Sequence, residues 1–212
     1  MTPILTGLGL AAAAGLNCWA VLVVAHGLVL LLPQEFPGPT AEWLAHPAVF
    51  QIALALFVVE FLVDKIPFLD RLWDVGHTLL RPAVGIMLAL AAAPPRPLPG
   101  MVGIALLAGA VTLGTHLAKS TSRLTSTAAT RGFAQFAMSL AEDVVAVALA
   151  VLLFFVPWFA AVFLVGLALA LFLERRRVLH SLKVLFFRLQ HPRTVLREAL
   201  RAQRQKEAEQ RS

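Results

Sequence analysis

The sequence predicts an all-α integral membrane protein with about six transmembrane helices and a basic amphipathic helix at its C-terminus. Its 212 residues are 59% hydrophobic, with a mean hydropathy of +0.80. Charged residues make up 14% of the chain, whereas a typical soluble domain has about 25%. Several apolar stretches reach the roughly 20 residues that cross a bilayer. These observations favour a membrane domain over residues 1–173 and a cytoplasmic tail over residues 174–212.

The first span is predicted at residues 3–32. We interpret it as a membrane helix and not as a cleavable signal peptide, because it lacks a basic n-region and its apolar stretch is too long for an h-region. Its cysteine, Cys18, is the single one in the chain, so it forms neither an intramolecular disulfide nor a Cys-based metal cluster. A small packing residue is expected there.

Five further spans are predicted at residues 48–66, 78–94, 99–119, 133–155 and 157–173. The proline-rich segment 93–100 forms a tight turn between the third and fourth spans. Residues 144–173 carry no charge and are too long for one untilted crossing. Pro157 removes a backbone donor inside this stretch, so we place a short hairpin there, with a single kinked helix as the alternative.

The basic tail sets the predicted orientation. Residues 174–212 contain 11 Lys and Arg against four Glu, and basic residues are enriched on the cytoplasmic side. With six spans, both termini are therefore expected in the cytoplasm. The loop 33–47 holds Glu35 and Glu42 without a basic residue, which agrees with an outer position. All four tryptophans, Trp19, Trp43, Trp73 and Trp158, are predicted as anchors at the membrane interface.

The six spans could form two inverted repeats of three spans each, residues 1–95 and 99–173, as in many transporters. The small-residue pattern of residues 7–22 resembles that of residues 106–119. Laying residues 56–64 over residues 137–145 places Glu60 near Glu142.

The tail carries its own amphipathic pattern. Val178, Leu182, Leu185 and Leu189 lie at i, i+4, i+7 and i+11 between basic residues. A basic amphipathic helix of this kind lies along an anionic membrane surface. Anionic lipid headgroups are therefore the predicted partners, with a plain topology signal as the alternative. The pattern is compatible with a homo-oligomer. Nucleic acid is not expected as a partner, because the basic residues directly follow a membrane span.

Ionisable residues gather beside and inside the predicted spans. An ionisable group in the bilayer core costs on the order of 2.5–3.5 kcal/mol, so we expect these side chains to line a charged cavity open to the cytoplasm. They follow helical spacing: one stripe leads from the second span into the third, and a second stripe leaves the fourth span. The predicted substrate- or ion-binding residues are Glu60, Asp64, Asp70, Asp74, His77, Arg81, His116, Lys119, Arg123, Glu142 and Asp143.

An internal ion-pair network is the alternative interpretation. In it, Asp70 and Asp74 would neutralise basic residues and only fix the helix packing. We prefer the cavity because three carboxylates at span depth outnumber the basic groups there, so that pairing alone looks insufficient. These carboxylates belong to Glu60, Glu142 and Asp143.

Two segments resemble the signature of the domain-of-unknown-function 4126 family of bacterial membrane proteins. The first segment reads E-x3-D-K-x-P-x2-D-x2-W-D-x2-H-T-x2-R-P-x2-G from Glu60 to Gly85. The second contains Gly114, Thr115, His116, Lys119, Arg123, Glu142 and Asp143. The resemblance covers about residues 5–173 and implies the bacterial inner membrane as the location. It implies no activity, because the family is uncharacterised.

A small transporter or channel, proton- or cation-coupled, is the function that the pattern favours, because intramembrane carboxylates carry protons or coordinate cations. One alternative is a membrane-embedded enzyme acting on a lipid phosphate, with a divalent metal held by Asp70, Asp74 and His77. No cofactor beyond such a metal is expected. The other alternative is a non-catalytic scaffold or partner subunit that works through its tail.

Overall fold

The computed structural model describes residues 2–63, 67–126 and 133–173, together with Lys183. Within these ranges, the side chains of residues 67–75 and 120–139, and those of Thr2 and Pro157, are outside the description. Every regular element in the described ranges is helical, and no strand occurs among them. The predicted all-α class is therefore confirmed for this part of the chain.

Eight α-helices and one 3₁₀ turn, Pro33–Glu35, follow one another in the described ranges. The helices are α1 (Thr2–Ala14), α2 (Cys18–Leu31), α3 (Ala41–Ala45), α4 (Pro47–Val63), α5 (Pro67–Ala92), α6 (Leu98–Ser126), α7 (Phe133–Phe155) and α8 (Pro157–Leu173). The hairpin predicted at Pro157 is confirmed, because α7 ends at Phe155, α8 begins at Pro157, and the two helices pack on each other and on α1. The tight turn after α5 is confirmed as well.

The prediction of one helix over residues 3–32 is wrong, because the chain breaks between α1 and α2. Gly15 has a low helix propensity, and its lack of a side chain lets the chain lie directly against Thr112 and Thr115 of α6 at this point. Asn17 has an extended backbone (φ −147°, ψ 104°) and its side chain accepts a hydrogen bond from the Ala20 amide, so it is the N-cap of α2. We call residues 15–17 the break segment.

Helix α5 starts earlier than the predicted third span. Its first residue is Pro67, so residues 67–77, between the predicted second and third spans, belong to the same helix that carries Arg81. Proline suits the first turn of a helix because the amide that it lacks would have no intrahelical partner there. The polar residues of this segment thus stand on a helix that leads directly into the packed part of the molecule.

Helix α1 lies at the centre of the bundle, in contact with α2, α5, α6, α7 and α8. Its residues from Ala11 to Ala14 are fully buried. Small side chains let helices approach closely, and Gly85 of α5 in turn lies directly against the Thr112 side chain of α6. This close packing brings the backbone of the break segment within reach of side chains from three other helices.

The segment after α2 folds over the C-terminal end of α5. The amide of Gly38 donates to the Ala91 carbonyl over 2.8 Å, and the Thr40 hydroxyl donates to the Met87 carbonyl over 2.7 Å. Phe36 is buried and stacks on Phe154. This end of the bundle is therefore covered, about 15 Å along α5 from Arg81 at the helical rise.

Large apolar side chains cover much of the outer surface. Leu79, Leu106 and Val165 are each about 70% exposed. In the described ranges, one helical stretch, Leu98–Lys119, is long and apolar enough to cross a membrane, and several shorter apolar helices accompany it. A single such helix is a weak indication of membrane association, so the six spans stay a prediction.

Candidate functional site

Polar and charged side chains meet in the interior of the bundle, where α4, α5, α6 and α7 face the break segment. All of them but one are buried; Glu142 is 17% exposed. We call this group the polar core. It consists of Asn17, Glu60, His77, Thr78, Arg81, Thr112, Thr115, His116, Lys119, Glu142 and Asp143.

Arg81 on α5 makes the most central contacts of the polar core. Its Nη2 donates to Oε1 of Glu60 over 2.7 Å. Its Nη1 lies 3.1 Å from the carbonyl oxygen of Gly15 and 2.8 Å from Nδ1 of His116. A hydrogen bond between charged groups is stronger than one between neutral groups, so Arg81 ties α4 and α6 to the end of α1.

The Arg81 contact determines the tautomer of His116. A guanidinium has only donors, so Nδ1 of His116 must accept in this contact. The ring is then neutral, with its proton on Nε2, which lies 3.5 Å from the hydroxyl oxygen of Thr78. Protonating Nδ1 would place two donors opposite each other and break the contact with Arg81.

His77 is held in the opposite tautomer by Trp19. The indole Nε1 of Trp19 donates to Nε2 of His77 over 2.7 Å, and the two rings are nearly perpendicular. An indole has no acceptor, so the proton of the neutral His77 ring is on Nδ1. The prediction that Trp19 anchors an interface is wrong: its side chain is buried, because its N–H finds an acceptor inside the bundle.

Lys119 on α6 links α7 to the break segment. Its Nζ donates to the carbonyl oxygen of Leu16 over 2.7 Å and lies 3.1 Å from Oε2 of Glu142. Asp143, the next residue on α7, points to a different partner: its Oδ1 accepts from Nδ2 of Asn17 over 2.8 Å. The expectation that Glu142 and Asp143 do not share one face is confirmed.

The charges around the break segment follow the helix dipoles. Arg81 and Lys119 contact carbonyl oxygens just after the C-terminal end of α1, where cations are favoured. Asp143 lies at the N-terminal end of α2, where anions are favoured. Long side chains from other helices thus satisfy backbone groups that the interruption of the helix releases.

Gly15 allows this arrangement through its lack of a side chain. A Cβ atom there would lie 2.5 Å from the Thr112 carbonyl oxygen and 2.6 Å from the Cβ of Thr115. The end of α1 therefore sits directly on α6, and this close approach brings the Gly15 and Leu16 carbonyls within reach of Arg81 and Lys119.

The carboxylate of Glu60 has two different environments. Its Oε1 accepts from Arg81, whereas its Oε2 is buried and has no hydrogen-bond partner among the described residues. Most buried polar atoms in proteins have such a partner. This oxygen is therefore the point at which the polar core offers an acceptor to a further group.

The structure brings together many of the predicted site residues. Seven of them lie in the polar core: Glu60, His77, Arg81, His116, Lys119, Glu142 and Asp143. Asp64 and the side chains of Asp70, Asp74 and Arg123 lie outside the described part, so their roles stay predictions. The three carboxylates outnumber the two buried basic side chains of the described part, Arg81 and Lys119, as predicted; each carboxylate nevertheless contacts a donor, and for Asp143 this donor is the neutral amide of Asn17.

Of the three predicted metal ligands, the structure describes the side chain of His77 but not those of Asp70 and Asp74. Among the described residues, no three His, Cys, Asp or Glu side chains lie close enough to hold a metal ion together. Nε2 of His77 accepts from Trp19, so a metal ion on this nitrogen would have to break that hydrogen bond. The side chains of Asp70 and Asp74 lie outside the described part, so this metal set stays a prediction.

Sequence reasoning missed the break segment and Trp19. The residues of the break segment carry no charge, and the hydropathy of residues 3–32 is unbroken, so the sequence predicts one span there. The pattern Gly15-Leu16-Asn17 was the available signal, since Gly ends helices and Asn begins them. No comparable signal in the sequence pairs Trp19 with His77.

Comparison with known proteins identifies the family of the chain but no activity. No curated protein and no solved structure matches the chain. A family model described as a domain of unknown function, DUF4126, matches residues 4–177 and thus includes the break segment and the whole polar core. The resemblance seen in the two signature segments is confirmed, and the chain belongs to the DUF4126 family.

Proposed function

We propose that the chain is a multi-pass membrane protein with six crossings, in which α1 and α2 together form one crossing. Its side-chain distribution supports this: large apolar residues face outward while arginine, lysine and glutamate are buried. Soluble proteins bury such charges rarely and expose few large apolar patches. By the asymmetry of basic residues, both termini lie in the cytoplasm of a bacterial inner membrane, and the basic tail contacts anionic lipid headgroups.

We propose further that the protein is a small ion-coupled transporter or channel. The observation that carries this proposal is the interrupted helix, whose Gly15 and Leu16 carbonyls accept from the buried Arg81 and Lys119. Transporters build their sites from discontinuous helices, because helix ends and unwound backbone supply partial charges inside the bilayer.

The two buried ion pairs are the elements that could exchange partners during transport. Glu60–Arg81 and Glu142–Lys119 each combine a carboxylate with a cation that also contacts the break segment. A buried ion pair adds little stability compared with well-packed apolar residues, and ionisable groups in membranes commonly mark ion pathways. A ligand that competes for either pair would alter the contacts of the break segment.

The test is an ion-flux assay on the full chain reconstituted into liposomes that contain pH- or ion-sensitive dyes. Gradients of protons, monovalent and divalent cations and phosphate are imposed in turn. Wild type is compared with Glu60→Gln and with Glu42→Gln, which removes an exposed carboxylate of α3. We expect flux for wild type and for Glu42→Gln, and its loss for Glu60→Gln.

Two results would count against the proposal. If wild type carries no flux under any gradient, the protein is neither a transporter nor a channel for these species. If Glu60→Gln carries the same flux as wild type, the Glu60–Arg81 pair has no part in transport. The two alternatives, a metal-dependent enzyme and a scaffold, rest on Asp70, Asp74 and the tail beyond Leu173, which lie outside the described side chains.

A further inference from the structure

We propose that α4 is a gate over the polar core. It pivots near its N-terminal end, and the Glu60–Arg81 pair near its C-terminal end is the latch that keeps it closed. This inference rests on the proposed function and deepens it, because it names the element that opens the site. It follows from how differently the two ends of α4 are held.

Residues 47–56 of α4 are fixed by packing on α2. Ala53 is fully buried, and Val49 and Leu56 pack against the same apolar core. Phe50 stacks on His26 of α2 with 5.1 Å between the ring centroids. Helices in a bilayer are held together by such close packing and by hydrogen bonds, so this half of α4 stays with α2.

The start of α4 is also tied to the segment that precedes it. The amide of Ala48 donates to Nδ1 of His46 over 3.2 Å, and Nδ1 of His26 lies 2.9 Å from the Leu44 carbonyl oxygen of α3. The Thr40 hydroxyl, just before α3, donates to a carbonyl of α5. The N-terminal end of α4 is therefore held from several sides.

The C-terminal end of α4 lies at the surface of the bundle. Among residues 58–63, all of which the structure describes, Glu60 is the buried one. Val58, Val59 and Leu62 are 49%, 39% and 57% exposed. The buried contact that the structure describes for this end is the ion pair of Glu60 with Arg81 on α5.

A buried ion pair suits a latch that must open. Its net contribution to stability is small, because the loss of solvation offsets most of the attraction between the charges. Water or a ligand that solvates the two charges can take over from the pair, whereas lost apolar packing has no such replacement. Moving elements of proteins are drawn from regions of low local stability.

The dimensions of α4 let a small tilt open the site. The helix has neither proline nor glycine after Pro47, so it moves as a straight rod. His46 has an extended backbone (φ −68°, ψ 128°) between α3 and α4 and supplies the hinge. Glu60 lies about 15 Å along the axis from Phe50, so a tilt of about 15° moves it by roughly 4 Å. That movement breaks the contact with Arg81 and admits water.

Opening the gate uncovers the centre of the polar core. Behind the latch, Arg81 contacts the Gly15 carbonyl of the break segment and His116. The thiol of Cys18 is fully buried there and lies close enough to Arg81 and Glu60 for their charges to act on it. The path lies at the end of α4 remote from the segment that folds over the end of α5.

Distances between spin labels test the gate on the full chain in liposomes. The labels occupy pairs of exposed positions in a Cys18→Ala background. Leu62→Cys with Leu169→Cys measures the moving end of α4 against α8. Ile52→Cys with Leu98→Cys is the matched control, because it measures the fixed half of α4 against the start of α6.

Each labelled pair is compared with and without Glu60→Gln, which keeps the shape of the side chain and weakens the latch. We expect Glu60→Gln to change the distance of the first pair by about 4 Å, or to add a population at that distance, and to leave the control pair unchanged. Unchanged distances in both pairs would overturn the inference, and so would equal changes in both.

The native Cys18 reports on opening in the chain without labels. A thiol reacts as its thiolate and needs access to solvent, so a water-soluble thiol reagent modifies Cys18 when the gate is open. We expect the rate to rise about tenfold in Glu60→Gln, because a hydrogen bond between charged groups is lost. Glu42→Gln, at an exposed carboxylate of α3, should match wild type. Equal rates in all three proteins would count against the gate.

If Glu60→Gln does not fold, modification of Cys18 in wild type is followed in rising guanidinium chloride. Local opening exposes little surface, so its rate should depend only weakly on low concentrations of denaturant. A rate that follows the denaturant dependence of global unfolding at every concentration would refute the gate.

Neither measurement depends on transport. Opening of α4 in a protein without flux would refute the proposed function and leave the gate standing. Flux in a protein whose Leu62–Leu169 distance does not respond to Glu60→Gln would refute the gate and leave the transporter standing.

Discussion

Arg81 on α5 donates to Glu60 on α4 over 2.7 Å, although both side chains are at most 2% exposed. The pair joins two helices that are adjacent in the chain, and the same guanidinium also holds the Gly15 carbonyl of the break segment. The described core of the molecule is thus organised around a charge pair, whose removal should have measurable consequences.

The first prediction concerns the cost of separating this pair. Arg81→Met leaves the buried Glu60 carboxylate without its cation, and breaking a buried pair in this way costs about 3–5 kcal/mol. We expect the free energy of unfolding to fall by that amount in chemical denaturation of the purified protein. The exposed Arg96→Met is the control, expected within about 0.5 kcal/mol of wild type.

The single variant Glu60→Leu and the double variant Glu60→Leu with Arg81→Met complete a double-mutant cycle. The double variant removes both charges, so it should be clearly more stable than Arg81→Met alone. Additive losses from the two single substitutions would show that the pair contributes no interaction energy, in contradiction to the geometry.

The second prediction concerns Gly15. In Gly15→Ala the new Cβ meets the Thr112 carbonyl oxygen and Thr115 at 2.5–2.6 Å, so α1 must move away from α6. Overpacking of this kind costs about 1–3 kcal/mol, and we expect a corresponding drop in melting temperature. Gly27→Ala in α2 is the matched control, since its Cβ would meet nothing within 4 Å; there, higher helix propensity should stabilise by up to about 1 kcal/mol. Equal effects at both glycines would refute the close contact.

A third prediction concerns the N-cap of α2. Asn17→Ala removes the acceptor of the Ala20 amide and a donor to Asp143, and loss of an N-cap costs about 0.5–2 kcal/mol. Asn17→Asp keeps the cap acceptor but places a second carboxylate opposite Asp143, so we expect it to be no more stable than Asn17→Ala at neutral pH. Thermal unfolding of the two variants decides this, and a fully stable Asn17→Asp would show that the Asp143 contact does not form.

The last prediction concerns the tautomer of His77. Trp19→Phe preserves an aromatic ring and removes only the N–H that Nε2 of His77 accepts. Nitrogen-15 spectra of labelled histidine should show the Nδ1–H tautomer for His77 in wild type, and in Trp19→Phe the Nε2 resonance should shift because this nitrogen loses its hydrogen-bond donor. Trp158→Phe, at an exposed tryptophan, should leave the spectrum unchanged. A wild-type His77 protonated on Nε2 would contradict the hydrogen bond.

The sequence by itself determined the all-helical class, most helix boundaries after residue 47 and the seven ionisable residues of the polar core. Hydropathy and proline positions are local properties, so Pro157 and the turn before α6 could be placed from neighbouring residues alone. The charged residues stood out because they are rare in an apolar chain, and the two signature segments indicated the family.

Only the tertiary structure decided how these residues are paired. Arg81 reaches Gly15 across 66 positions of the chain, Lys119 reaches Leu16 across 103, and Asn17 reaches Asp143 across 126. Helical spacing predicts which residues share a face of one helix, but not which helix that face meets. The break at Gly15 is stabilised by side chains from α5, α6 and α7, and contacts between distant segments form only when the helices pack.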